Sequence, residues 1–425
     1  MWISNHLKYR ELYEERRELR SRTASYESSN SRRSESLNLL MLCPYFFPEA
    51  NAAAARAMSF AKYFTIAGAE VQVMVPNTDR IAMNVDFRGI PINRIETYDS
   101  LREQIGVISS AIRLPALIES LRLRIKTLGP DLVMTTTPSP FFAFEGHLAC
   151  KRLGIPVVLD VRDAWAQLIR NHPSRLDNFV KRMIEGRCCW AAERILVVTD
   201  MLADLLVQEH RLPREKFVLA PNGADLDSFN LRGERDIDMI FSGAPSTYRN
   251  LEEVFRILSR VIKRRPSTSI IFIGWVQNDY TRKLESLAAG LDIVDNIRLM
   301  PPVAHDQVPS VLARAKIGLI TLGDEAFYRP SIGAKTYEYM AAGLALACLG
   351  PSGDSELRRL VQSTRAGFYE SSVQRFAERL DELLSSENML SMMSKNSTIA
   401  ASQYDRKAIA MKIYQEVLVP TIEKI

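Results

Sequence analysis

LNLLMLCPYFFPEANAAAARAM, residues 37–58, opens with a run that is apolar but for Asn38, turns past Pro44 and Pro48, and enters an alanine-rich segment. A short apolar run bounded by turn residues and followed by a helical pattern is the first half of a βαβ unit whose strand is buried on both faces. The same rhythm continues. EVQVMVP (70–76), DLVMTTT (131–137), PVVLDV (156–161), RILVVT (194–199) and KFVLAP (216–221) read as buried strands, with helices over Ala52–Ala67, Ser109–Leu128, Phe141–Leu153 and Leu176–Ala192. After a polar stretch the pattern restarts with DMIFSG (238–243), SIIFIG (269–274), NIRLM (296–300), KIGLITL (316–322) and LALACL (344–349), spaced by helices such as Leu251–Arg264 and Val308–Ala315. Strands alternating with helices predict parallel sheets, and two such runs predict an α/β chain of two Rossmann-like domains with a cleft between them.

The 425 residues suit two cores better than one. The expected division is a charged, poorly ordered extension over 1–36, a first domain over 37–221, a crossover at 222–236, a second domain over 237–402, and a C-terminal helix at 403–425 crossing back to the first domain. The first twenty residues carry charge throughout and no apolar core, so no secretory signal is expected and the chain is read as cytoplasmic. A net charge of +5 without any aromatic-and-basic segment excludes nucleic acid as a partner. The five cysteines are scattered, with no metal-binding spacing, and read as buried thiols.

Ligands of such sheets bind beyond the carboxyl ends of the strands. Three loops qualify. In the first, Asn51 and Ala52 start a helix whose N-terminus favours phosphate. In SGAPSTYRN (242–250), Gly243 permits a tight turn and Arg249 offers a fork for a diphosphate. In GDEAFYRPSIGAKTYEYMAAG (323–343), Pro330, Ser331 and Gly333 make a turn, and Lys335 and Glu338 then share one helix face. A carboxylate there suits two ribose hydroxyls. Asp225-Leu226-Asp227 has the form of a metal-diphosphate motif but falls in the crossover, so it is assigned to structure, and no metal or cofactor is expected.

The succession of LDVRDAW (159–165), VVTDMLADLL (197–206), APNGADLDSF (220–229), FSGAPSTYRNLEEVF (241–255) and AKTYEYMAAG (334–343) resembles glycosyltransferase family 4. The resemblance implies a GT-B fold and retaining, metal-independent transfer of a sugar from a nucleotide-diphosphate donor to a glycan or lipid-linked acceptor in polysaccharide assembly. It implies that Arg249 and Lys335 hold the diphosphate, Glu338 the ribose, and Asp163 the donor sugar or acceptor. Asn51 and Ala52 stand where the family has paired glycines against the donor phosphate; Gly243 and Ser331 complete the donor site. Departures are Ala244 for a customary arginine and Pro330 for the first of two glutamates, which leaves Asp324 and Glu325 as substitutes. A sugar-nucleotide epimerase or a non-catalytic partner of another transferase are the rival readings. The basic stretches 112–126 and 170–187 read either as solvated helix faces or as peripheral contacts with an anionic membrane.

Overall fold

The computed structural model describes residues 36–47, 49, 51–77, 86–97, 100, 107–138, 140–163, 175–230 and 233–423. The extension at 1–36 lies outside them except for Ser36. In the first sheet the strands are β1 (Asn38–Leu42), β2 (Glu70–Pro76), β3 (Asp86–Phe87), β4 (Ile90–Ile95), β5 (Leu132–Thr136), β6 (Val157–Val161), β7 (Arg194–Val197) and β8 (Phe217–Leu219). They lie in the order β3-β4-β2-β1-β5-β6-β7-β8, parallel except for the β3–β4 hairpin. The second sheet takes β9 (Ile237–Ser242), β10 (Ile270–Ile273), β11 (Ile297–Met300), β12 (Ala315–Thr321), β13 (Ala345–Leu349) and β14 (Gly367–Glu370) in the order β11-β10-β9-β12-β13-β14, all parallel. Strand order reverses between β1 and β5 in one sheet and between β9 and β12 in the other. Those two switch points are where crevices open.

The central strands are buried on both faces, β5, β6 and β13 throughout, as their predominantly apolar runs require. Helices cover them with periodic apolar faces. Leu251–Arg264 buries Leu251, Val254, Phe255, Leu258, Val261 and Ile262 at three- and four-residue steps, each side chain contributing about 1.5–3 kcal/mol. Ala52–Ala67 is capped by the Asn51 side chain, which accepts from Ala54 N, and ends at Gly68 with φ 110°, a left-handed conformation glycine adopts freely.

Two readings change. The helix expected over Val308–Ala315 stops at Leu312, because Ala315 already pairs with Ile237 as the first residue of β12. The strands β4, next to the short edge strand β3, and β14, at the edge of the second sheet, were not expected; IPINRI and GFYE carry polar residues on their half-covered faces and lack the apolar run of a central strand. The chain after Tyr404 leaves the second domain: Ala410, Ile413, Val417 and Leu418 pack into the first-domain core beside Phe60 and Phe64. Where it crosses, Ala224 N donates to Tyr404 O and Arg406 N to Ala224 O, so the outgoing and returning strands are stitched together. Gly223, at φ 59°, fits because a Cβ there would stand 2.5 Å from the Tyr404 carbonyl oxygen.

Candidate active site

The second-domain wall is built from the ends of β9 and β12. Ser242 N donates to the buried Tyr339 hydroxyl at 2.7 Å, fixing the chain as it leaves β9. Gly243 then turns at φ 132°, and Gly274 lets the next strand approach, since a Cβ on it would lie 2.9 Å from the Gly243 carbonyl carbon. Arg249 ends a short 3-10 turn, and Asn250 follows in the left-handed region at φ 49° before the Leu251–Arg264 helix. The Asn250 carboxamide donates to Leu322 O at 3.1 Å and Gly323 N to Tyr248 O at 2.8 Å. These two bonds pin the β9 loop to the β12 loop, so Arg249 and Lys335 belong to one rigid wall.

Lys335 stands in the first turn of the Ala334–Ala341 helix. Its stem is partly exposed, but its ammonium is sealed from solvent, 4.0 Å from the centre of the Phe241 ring and without a hydrogen-bond partner among the described residues. A Cβ on Gly243 would lie 3.5 Å from Nζ, so the glycine leaves the ammonium open toward the loop. Burial, reinforced by the Arg249 charge and opposed by Glu338, holds this lysine well below its usual pKa. Glu325 Oε2, Arg329 Nε and Ser331 Oγ are likewise buried and unpartnered. An unpaired buried polar atom costs about 1–3 kcal/mol, so four within eleven residues mark a surface shaped for something polar.

The carboxylates separate into roles. Asp324 is exposed and accepts from Ser352 N at 2.6 Å and Ser352 Oγ at 3.0 Å, which lowers its pKa and commits it to the loop. Glu325 keeps its unpaired oxygen, and Gly323 makes room for it: a Cβ there would fall 1.9 Å from Oε2. Pro330, in the place of the missing glutamate, is buried, and its carbonyl accepts from the Thr199 hydroxyl of the first domain at 2.5 Å. Glu338 is 8% exposed and lies 3.5 Å from Arg406 Nη2.

On the opposite wall, Arg56 forks onto Asp160, with Nη2 to Oδ1 at 2.8 Å and Nε to Oδ2 at 3.0 Å. It also donates to the carbonyls of Ala220 and Pro221. Arg162 and Asp163 follow β6. Burial raises the Asp163 carboxyl, and the neighbouring Arg162 charge opposes this only in part. Tyr328, from the second domain, sits in the field of both Asp163 and Arg249; burial is the main cause that pushes its phenol up to about 12. The walls are also joined by Asn222 Nδ2 to Ile332 O at 3.0 Å and Met201 N to Glu356 Oε1 at 2.8 Å.

Gly243, Arg249, Ser331, Lys335 and Glu338 therefore gather on one wall and Asp163 faces them from the other. Asn51 and Ala52 are exposed at the start of the Ala52–Ala67 helix. The Asn51 carboxamide is used in capping and in a bond to Glu49 Oε2 at 3.0 Å, leaving backbone N–H groups as what this corner offers. Asp225 accepts from Tyr63 and Ser59 and lies 3.6 Å from Arg406 Nη1, a hinge fixture. Three residues escaped the sequence reading: Tyr328, Arg162 and Arg406. For Arg162 the signal was a cation placed directly after a strand buried throughout; the other two had none.

The profile of Glycosyltransferase Family 4 matches residues 53–228, and that of Glycosyl transferases group 1 matches residues 225–399. The chain belongs to glycosyltransferase family 4. This family-4 chain is 25% identical over 167 residues, 37% of its length, to the GDP-Man:Man(3)GlcNAc(2)-PP-Dol alpha-1,2-mannosyltransferase of Dictyostelium discoideum. Its matches span only 32%, 34% and 44% of the curated relatives' lengths. Its fold is that of sucrose-phosphate synthase from Thermosynechococcus elongatus, with a TM-score of 0.73 at 13% identity over 91% of this chain and 99% of that one. Anabaena Alr3699/HepE in complex with UDP-glucose gives 0.67 at 14% identity, over 90% and 100%. The two Rossmann-like domains read from the alternating strands and helices, and the GT-B fold that the resemblance implied, are the architecture found.

Proposed function

We propose that the protein transfers a sugar from a nucleotide-diphosphate donor to a glycan or lipid-linked acceptor, with retention of configuration and without a divalent cation, in cell-surface polysaccharide assembly. The observation that carries this is the sealed, unpartnered Lys335 ammonium beside Gly243, with Arg249 on the same wall. Fixed positive charge in a dry site stabilises a leaving diphosphate strongly, because nothing must reorganise when the charge develops. As the glycosidic C–O bond to the diphosphate breaks, Arg249 and Lys335 take up the charge on the departing oxygen. That oxygen accepts the acceptor's proton while the acceptor oxygen bonds the same face of the sugar. Asp163 orients the acceptor, Glu338 accepts from the ribose, and Glu325 takes the sugar-hydroxyl role vacated at Pro330. UDP-glucose in the Anabaena protein and GDP-mannose chemistry in the Dictyostelium relative support a nucleotide sugar here.

Among the described residues no helix is long and apolar enough to cross a membrane. Phe179, Met183 and Trp190 form an exposed stripe along the Arg175–Ala191 helix, over a groove of about 340 Å³ flanked by Arg182 and Arg187. An aromatic stripe between arginines supports peripheral contact with an anionic membrane at the cytoplasmic face, where a lipid-linked acceptor resides.

An epimerase would want a histidine with carboxylates in the cleft, and two of the five histidines are engaged within the first domain: His147 with Thr135 and His210 with Glu185. A panel of nucleotide-diphosphate sugars in a thermal-shift assay, followed by donor hydrolysis in EDTA, tests the proposal. A stabilising donor that is turned over without metal supports it. A strict metal requirement, or binding with neither transfer nor hydrolysis, overturns it.

A further inference from the structure

Arg162 is a cation of the first-domain wall that the mechanism above leaves unused and, unlike Arg56, it has no carboxylate forked onto it among the described residues. Its side chain is 9% exposed, and Nε is buried without a partner among the described residues. It leaves the carboxyl end of β6, where its Nη2 donates to the carbonyl of Thr137 at the end of β5, and its backbone N–H donates to the Thr137 hydroxyl at 3.2 Å. Cys43, at the end of β1, lies within its field. Three strand ends of the cleft therefore converge on this guanidinium.

The nearby carboxylates, Asp160 first and then Asp163, offset its burial only in part. Asp160 is forked by Arg56 through three contacts between 2.8 and 3.3 Å. Asp163 stays above the usual carboxylate range despite the adjacent cation, and burial also weighs against the charged form of Arg162 itself. An arginine remains charged under any working condition, so a desolvated guanidinium with a vacant N–H invites an anion from outside the chain. Arg249 and Lys335, which serve the donor diphosphate in the reading above, belong to the other wall.

Resting on that reading, we propose that Arg162 is an anion subsite of the acceptor: it holds a phosphate or carboxylate carried by the acceptor, opposite the donor diphosphate, and so positions the attacking hydroxyl beside Asp163. The acceptor class this selects is an acidic one, either a lipid phosphate or a glycan ending in an acidic sugar.

The test uses the full chain saturated with whichever of UDP, GDP, TDP, ADP or CDP stabilises it most. Decyl phosphate and glucuronate are then titrated separately by calorimetry. One of the two probes binds the nucleotide-saturated protein. Arg162→Gln weakens that binding at least about tenfold, the loss of one charge-assisted hydrogen bond, and leaves nucleotide affinity unchanged. Arg249→Gln does the reverse. Arg162→Lys, which keeps the charge, retains an intermediate affinity and serves if the glutamine variant does not fold. Phosphate binding with glucuronate silent assigns a lipid phosphate; the opposite pattern assigns an acidic glycan. Failure of both probes to bind overturns the subsite. So does competition of either probe with the nucleotide, or loss of nucleotide affinity in Arg162→Gln, which would move Arg162 to the donor. If no nucleoside diphosphate binds the unaltered chain, it is the donor reading that falls.

Discussion

Replacing Lys335 by Met should make the empty protein more stable and the enzyme far worse. The ammonium is sealed from water with no hydrogen bond, and its compensations are the Phe241 ring at 4.0 Å and the Glu338 charge. A cation–π contact returns about 0.5–2 kcal/mol, and a thioether against the same ring recovers about 0.3–1.5 kcal/mol of it. Removing a buried, poorly compensated charge with little change of volume gains about 1–3 kcal/mol. For a domain of this size each kcal/mol moves Tm by roughly 2–4 °C, so Lys335→Met should melt about 2–12 °C higher. With donor present the order reverses: losing a cation that meets the leaving diphosphate lowers kcat/KM by about 10²–10³. The pH dependence follows from the same burial. A lysine whose pKa is lower folded than unfolded contributes stability that is present above the unfolded value, about 10.4, and lost as pH falls through the folded value. The Tm advantage of Lys335→Met should therefore be largest at low pH and close as pH rises toward that limit. Differential scanning calorimetry across pH, with initial rates of donor turnover, measures both halves. A variant that melts lower than the parent at neutral pH would refute the reasoning, because Lys335 would then be a structural residue.

Other outcomes follow from individual contacts. Tyr339→Phe strips Ser242 N–H of its acceptor and should cost about 1–3 kcal/mol, with KM for the donor rising more than kcat falls, since the Gly243 turn loses its anchor; steady-state kinetics and chemical denaturation read this. Arg56→Met leaves Asp160 buried without its fork and frees the Ala220 and Pro221 carbonyls, so a loss of about 3–5 kcal/mol is expected by urea denaturation. Glu325→Gln keeps the shape of the loop but weakens acceptance from a sugar hydroxyl. Donor-sugar affinity should drop while affinity for the bare nucleoside diphosphate holds, as calorimetry with both ligands would detect. Phe179→Ser combined with Trp190→Ser should release the chain from vesicles of anionic lipid in a co-sedimentation assay and leave turnover of a soluble donor unaffected.

The sequence is most readable where one physical requirement acts alone. Strands β1, β5, β6, β9 and β12 are central, need only bury themselves, and announce it as predominantly apolar runs. Strands at or next to a sheet edge answer to two environments at once, which is why IPINRI and GFYE carry no such mark. The same holds in the cleft. Arg249 and Lys335 could be picked out because a cation at a strand end or in a first helical turn is out of keeping with its neighbours. Arg406 could not: in RKAIAMKI it looks like any solvated helix start, and only the return of the chain to the first domain carries it between Asp225 and Glu338. That placement also ties the two ends of the fold's logic together. Glu338 belongs to the donor wall, Asp225 and Asn222 to the hinge, and Arg406, 4% exposed, touches all three through Nη2, Nη1 and an Nε bond to the Asn222 carbonyl at 3.1 Å. Asn222 in turn holds the Ile332 carbonyl at the donor loop. If Glu338 accepts from the ribose as proposed, the donor site and the hinge share Arg406, which lies within ion-pair reach of both Glu338 and Asp225.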